Sequence, residues 1–149
     1  MGESAFEVGQ HASISRKVTA EAVEAFAKAT GDVNPIHLDE AYAAETRFGR
    51  RIAHGMLVAS YVSTLLGTKF PGPGTIYVSQ GFSFLKPVFL GDTLDISATV
   101  AKYRPDRGIL TLEIAVQNQR AEKVLTGEAV CLVTDVATGQ TARSGAAAG

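Results

Sequence analysis

Between Gly55 and about Gly67 the chain is apolar on nearly every side of a helical wheel, with Met56, Leu57, Val58, Tyr61, Val62, Leu65 and Leu66 spread around it. A helix with that pattern has no face for water and must be enclosed by other elements. What encloses it lies downstream. Pro71-Gly72-Pro73-Gly74 breaks the chain, and beyond it only strands follow. Ile76 to Leu85, Thr93 to Tyr103, Ile109 to Asn118 and Val124 to Thr134 are rich in Val, Ile, Thr and Phe, and turn residues separate them: Gly91-Asp92, Pro105 to Gly108, and the polar stretch Gln119 to Lys123. These are the spacings of an antiparallel meander. A buried helix followed by four long strands predicts an α+β fold in which a curved antiparallel sheet wraps a central helix.

Upstream, Thr19 can cap a helix in which Val23, Phe26, Ala27 and Thr30 recur at i, i+3, i+4 and i+7, and Gly31 stops it. Asp39 can cap a second, short helix through Ala44, after which Phe48-Gly49-Arg50-Arg51 reads as a loop. With 149 residues and 46% hydrophobic content the chain is long enough for one domain that needs neither disulfides nor metal to be stable. That domain is expected over residues 1–136, with a small, polar and disordered tail over 137–149.

Composition also excludes partners. The formal net charge of -1 and the scattered placement of Lys and Arg argue against nucleic acid, whose phosphates demand clustered cations. Arg47, Arg50, Arg51 and Lys69 are either solvated surface charges or contacts for the phosphate of a small nucleotide-bearing ligand. The single cysteine, Cys131, lies in an apolar run and is expected in the core; with no intrachain disulfide possible, a reducing compartment suits the chain. The first residues carry neither a basic n-region nor an apolar h-region, so a cytoplasmic protein is expected. No membrane association is expected either, since the longest apolar stretch, Met56 to Leu66, is about half the ~20 residues a bilayer span needs.

Chemistry concentrates at the end of the first helix. Gly31-Asp32-Val33-Asn34-Pro35-Ile36-His37 sets a carboxylate and an imidazole on one bent segment of backbone. A pair so placed can share one water or one substrate proton, which is the geometric requirement of general acid–base catalysis. Turn formation alone would also account for Gly-Asp and Asn-Pro. Gly55 opens the apolar helix, where free N–H groups and the positive end of the helix dipole make an oxyanion hole, unless the glycine serves only to start and pack the helix.

The loop Gly31 to His37, followed by Asp39, Tyr42 and Ala43, resembles the signature of the MaoC-like, (R)-specific enoyl-CoA hydratases of the hot-dog superfamily. Ile52-Ala53-His54-Gly55-Met56-Leu57 is similar to the segment that opens the central helix of that family, and Phe82 to Asp92 resembles the strand and turn that follow. The three blocks occur in the family's order, and the likeness runs from about Phe6 to Val133. It implies a single hot-dog domain and reversible syn hydration of trans-2-enoyl-CoA to (R)-3-hydroxyacyl-CoA. Such a hydro-lyase would serve fatty-acid or polyhydroxyalkanoate metabolism. The catalytic residues would be Asp32, His37 and Gly55, and Asn34, His54 and Ser63 would complete the substrate site. Asn34 is read mainly as holding the loop and His54 as orienting it. Ser63 matches a position whose hydroxyl touches the catalytic histidine in related hydratases, although a serine within a helix also bonds its own i-4 carbonyl.

No cofactor is expected, since hydration involves no redox change and nothing resembles a dinucleotide loop. No metal is expected: of the donors His37, Asp39 and His54, Asp39 is better used as a helix cap. A single hot-dog unit leaves a sheet edge and the mouth of its ligand tunnel unfinished, so a homodimer is expected. Two other readings stay open: a 3-hydroxyacyl-acyl carrier protein dehydratase, with the same pair and a different carrier, and a non-catalytic acyl-CoA-binding module.

Overall fold

The computed structural model describes residues 5–133. The tail expected over 137–149, and the last residues of the domain expected to end at 136, lie outside the described residues. In chain order the elements are β1 (His11–Lys17), α1 (Ala20–Thr30), α2 (Pro35–Leu38), α3 (Glu40–Ala44), α4 (Gly55–Thr68), β2 (Ile76–Phe84), β3 (Thr93–Arg104), β4 (Ile109–Gln117) and β5 (Lys123–Leu132). The strands form one antiparallel sheet in the order β1-β3-β4-β5-β2.

Alternation along β3 and β4 sends Leu94, Ile96, Ala98 and Val100, and Leu110, Leu112, Ile114 and Val116, to one face. That face receives α4, whose Leu57, Val58, Val62, Leu65 and Leu66 are buried in the same core. Cys131 packs there from β5, and burial pushes its thiol up to about 11, so it acts as a small apolar residue. The expectation of a helix enclosed on all sides requires correction. Met56, Ser60, Ser63 and Gly67 form an exposed stripe at i, i+4, i+7 and i+11, because one curved sheet covers only part of a cylinder.

Two elements were not expected. β1 carries few apolar residues, and pairing with β3 from His11↔Thr99 to Lys17↔Thr93, rather than burial, holds it at the sheet edge. α2 is a single turn, started by Asn34 and by Pro35 at its first position. The opposite edge of the sheet is β2, which leaves Ile76, Val78 and Phe84 more than half exposed. Its register against β5 shifts between Tyr77 and Ser79, so Val78 is the extra residue of a bulge.

The segment after β2 positions the start of α4. Ala53 N–H donates to the Val88 carbonyl at 2.7 Å, and Ile52 bridges Phe89. The same segment is anchored to the sheet by Lys86, whose ammonium donates to Glu122 at 2.7 Å; Lys86, with Asn118 and Arg120, holds the Glu122 carboxyl down at about 2.

Pairing of β2 with β5 depends on a missing side chain. A Cβ on Gly127 would lie 2.1 Å from the carbonyl oxygen of Gly81, inside the backbone of the neighbouring strand. Gly127→Ala is expected to cost about 1–3 kcal/mol of stability, the range for overpacked interiors. A fall in the urea midpoint at unchanged m-value would register it; an unchanged midpoint would show that the strands separate there freely.

Candidate active site

The loop bearing Asp32 begins where α1 ends. Thr19 caps the helix through the Ala22 N–H, and Gly31 closes it in the left-handed region at φ 82°, donating to the Ala27 carbonyl. Thr30 Oγ1 donates to the Phe26 carbonyl at 2.7 Å and accepts from the Asp32 N–H at 3.1 Å, which fixes the turn. Asp32 Oδ1 accepts from the Asn34 N–H at 3.3 Å, and Asn34 Oδ1 accepts from the Ile36 N–H at 3.2 Å. Asn34 thus holds the loop, as its residue type suggested. Asp32 also does what a turn aspartate does, yet its carboxylate is exposed and keeps acceptor capacity for a ligand.

His37 lies in α2 and is buried. Its Nδ1 lies 2.8 Å from the Ile52 carbonyl. A carbonyl only accepts, so the proton sits on Nδ1 and the Nε2 lone pair is left free. His54, the residue before α4, is 2% exposed and its Nε2 donates to the Asp32 carbonyl at 3.0 Å. The two imidazoles stack with centroids 3.9 Å apart and planes 30° apart, and Phe26 packs on His54 at 4.8 Å. Donor atoms of Asp32, His37 and His54 all lie within 4.8 Å of one another.

The fold therefore gathers Asp32, not Asp39, with the two histidines. Asp39 caps α3 through the Tyr42 N–H at 3.0 Å, as expected. The trio contains metal-ligating residue types, but stacked rings hold their in-plane lone pairs side by side, whereas ligands at ~2.0 Å must converge on one ion. The arrangement suits proton transfer better. Burial, followed by the neighbouring His54, lowers the His37 pKa from 6.5, outweighing the raising effects of the Ile52 carbonyl and of Asp32. His37 is consequently a neutral base at neutral pH.

Gly55 lies beside this group. α4 has no side-chain cap, and the first-turn amides of Gly55 and Met56 have no acceptor among the described residues. A cavity of about 280 Å³ borders Gly55, Ile52, Val58, Phe84, Lys86 and Arg47. A second, of about 340 Å³, is lined by Met56, Ser60, Ser63, Tyr77 and Phe82. Ser63 belongs to this second cavity, and within the described residues it makes no hydrogen bond to His37. Sequence reasoning missed the imidazole stack and one further contact: Arg51 Nε donates to the His37 carbonyl at 2.7 Å. No pattern in residue type announces either, since both arise when residues 51–54 fold back on α2.

A fold of one helix on a curved sheet, with an Asp/His loop at the helix start, defines a class. Residues 3–122 match the family model described as "MaoC like domain", and the chain belongs to this family. It is 46% identical over 130 residues, 87% of this chain and 97% of the relative, to an (R)-specific enoyl-CoA hydratase of Aeromonas caviae. It is 42% identical over 127 residues, 85% of this chain and 80% of the relative, to a 3-hydroxybutyryl-CoA dehydratase of Methylorubrum extorquens. Among solved structures it is similar to the (R)-hydratase from A. caviae involved in PHA biosynthesis, with TM-score 0.83 and coverage of 87% of this chain and 98% of that one. It is likewise similar to R-hydratase PhaJ1 from Pseudomonas aeruginosa, with TM-score 0.82, 42% identity and coverage of 85% and 81%. The hot-dog architecture expected from the sequence is the one found.

The lowered His37 pKa has a sign that can be checked. Below pH 6.5 the unfolded chain takes up a proton that folded His37 still refuses, so stability falls as pH drops from 6.5 toward the folded pKa and this contribution changes no further below it. Nuclear magnetic resonance titration of the His37 ring is expected to give a midpoint below 6.5. His54→Phe, which keeps a ring in the stack and removes the neighbouring imidazole that helps lower the His37 pKa, is expected to move that midpoint upward; an unmoved midpoint would leave burial as the sole cause.

Proposed function

We propose that this chain is an (R)-specific enoyl-CoA hydratase, adding water reversibly across the double bond of trans-2-enoyl-CoA to give (R)-3-hydroxyacyl-CoA. The observation that carries the reading is the Asp32 carboxylate beside the His37 imidazole, an oxygen of one and a ring nitrogen of the other within 4.8 Å, while Nδ1 is bound to the Ile52 carbonyl and leaves the Nε2 lone pair free. A water held between them can lose a proton to one group as its oxygen bonds to C3. The electron pair of the double bond then passes into the thioester as an enolate, and C2 takes a proton from the same pair of residues. Hydroxyl and hydrogen reach one face, which is syn addition. Water and alkene balance the product without a redox partner, so the reaction calls for no cofactor.

The enolate oxygen is assigned to the unpaired amides at Gly55 and Met56, where donors fixed toward developing charge contribute about 3–4 kcal/mol. Asn34 and His54 hold the Asp32 loop, and Ser63 faces the acyl portion from the second cavity. The relatives named as CoA-thioester enzymes match with greater identity and coverage than the acyl carrier protein dehydratase of Arabidopsis thaliana, at 36% over 88 residues. That difference favours CoA as the carrier. Among the described residues no helix is long and apolar enough to cross a membrane. A cytoplasmic location is part of the same reading, supported by the lone buried cysteine.

We further propose a homodimer that pairs β2 edges. Ile76, Tyr77, Val78 and Phe84 on that edge, with Met56 on the open stripe of α4, form an apolar surface that an isolated protomer would leave wet.

Asp32→Asn and His37→Ala are each expected to lower hydration of crotonyl-CoA by about 10²-fold or more with the fold intact. Near-native turnover by either variant would remove the assignment. Hydration of that thioester in deuterated water, with both new stereocentres determined, should give the (R) alcohol by syn addition. An (S) product would reject the substrate orientation, and anti addition the shared water. Light scattering should find two copies per particle, and Val78→Lys should shift the protein toward one; a wild-type monomer would refute the pairing.

A further inference from the structure

Arg51 does not behave as a surface cation. Its side chain is 12% exposed, its Nη2 is buried without a hydrogen-bond partner, and its Nη1 lies 3.5 Å from Glu40, which is itself 71% exposed. A group so enclosed cannot reach out to a ligand phosphate, one of the two roles its residue type allowed. The partner in solvent adds little, because water screens such a pair. What remains is one short charged contact, from Nε to the His37 carbonyl at 2.7 Å.

The position of that contact gives it meaning. α2 is one turn, and a single turn cannot hold itself, since nucleating a helix costs more than its first hydrogen bond returns. Its geometry comes from outside. Asn34 accepts from the Ile36 N–H at the start of the turn and, through its carbonyl, from the His37 N–H at 3.0 Å. The Ile52 N–H reaches the Ile36 carbonyl at 3.3 Å, and the Ile52 carbonyl receives the His37 ring. Arg51 supplies the remaining hold, on the carbonyl of His37, at the end of the turn where helix dipoles favour a cation. Backbone N–H, backbone carbonyl and ring of one histidine are thus each tied to a different group. Enclosing a guanidinium with an unpaired Nη2 opposes folding, so this arginine is a costly way to satisfy one carbonyl that a neutral donor could serve.

We propose that Arg51 is a positioning residue for His37: by clamping its carbonyl it keeps the imidazole on the Ile52 carbonyl, so that the Nε2 lone pair stays aimed at the water shared with Asp32. Arg51 touches no reacting atom in this account. The proposal rests on the hydratase reading, and part of its test does not depend on turnover.

Arg51→Ala is expected to reduce kcat for crotonyl-CoA by about 10- to 100-fold with KM changed less than about threefold, since small misplacement of a reacting group is felt in the chemical step. Methylguanidinium added to that variant should restore part of the lost kcat and leave the wild type unaffected. Glu40→Gln, which keeps the Nε contact, should retain near-native kcat. ¹⁵N spectra of the His37 ring should report the single Nδ1–H tautomer in the wild type and a mixture in Arg51→Ala. Unchanged kcat, a loss confined to KM, or a retained single tautomer would overturn the proposal. So would a Glu40→Gln loss equal to that of Arg51→Ala, which would transfer the role to the ion pair. Should Arg51→Ala not fold, the same measurements on Arg51→Lys decide, with a tautomer mixture and lowered kcat expected and native values for both contradicting it. If the wild type hydrates nothing, the hydratase reading fails, while the tautomer spectra still judge the clamp.

Discussion

Burial of α4 against the inner face of the sheet is the interaction on which the other features rest. Leu57, Val58, Val62, Leu65 and Leu66 each remove most of their apolar surface from water there, a gain of about 1.5–3 kcal/mol for each large side chain on the usual area scale. Without the helix the inward residues of β3 and β4 would have no partner. With it, one end of the helix lies in a fixed place at the surface, and the residues immediately before that end inherit the placement. Ala53 and Ile52 are then tied to the segment after β2, and His54 is delivered to Asp32.

The polarity of the Asp/His site follows from satisfying backbone carbonyls in a dry place. Ile52 and Asp32 present carbonyl oxygens that imidazole N–H groups fill. Each histidine thereby commits one nitrogen to structure and keeps the other as a lone pair. For His37 the free nitrogen is available to a water. For His54 the free Nδ1 is buried and unpartnered, a cost of about 1–3 kcal/mol for an orphaned group. The stack on His37 and the hold on the Asp32 backbone are what that cost accompanies.

Sequence periodicity exposed the parts of this fold that depend on burial and concealed those that depend on pairing. The apolar run from Met56 and the strands rich in Val and Ile were legible because hydrophobic residues repeat there. β1 was not, since His-Ala-Ser-Ile-Ser-Arg-Lys owes its extended form to hydrogen bonds with β3. The open stripe of Met56, Ser60, Ser63 and Gly67 was hidden for a different reason: small residues and one methionine do not break an apolar pattern. At the site, Asp32, Asn34 and His37 could be named because turn chemistry and titratable groups coincide within a few residues. The hold of Arg51 on His37 could not be read there, because it depends on how two segments fold together, and nothing local distinguishes Arg51 from Arg50.

Among the described residues the side-chain hydrogen bonds of the Asp/His site close between residues 26 and 54, ahead of every strand from β2 onward. The sheet supplies an apolar surface and an anchor but no hydrogen-bonding side chain to that knot. Asp32 and His37 therefore owe their bonds to one stretch of chain, whereas the two cavities are walled jointly by α4 with the residues before it and by β2 with the segment after it. Substitutions in β2 and in the segment after it can reshape the cavities while Asp32, His37 and His54 keep their bonds. A scaffold divided in this way lets the walls of the cavities change bulk without disturbing the bonds that hold Asp32 and His37.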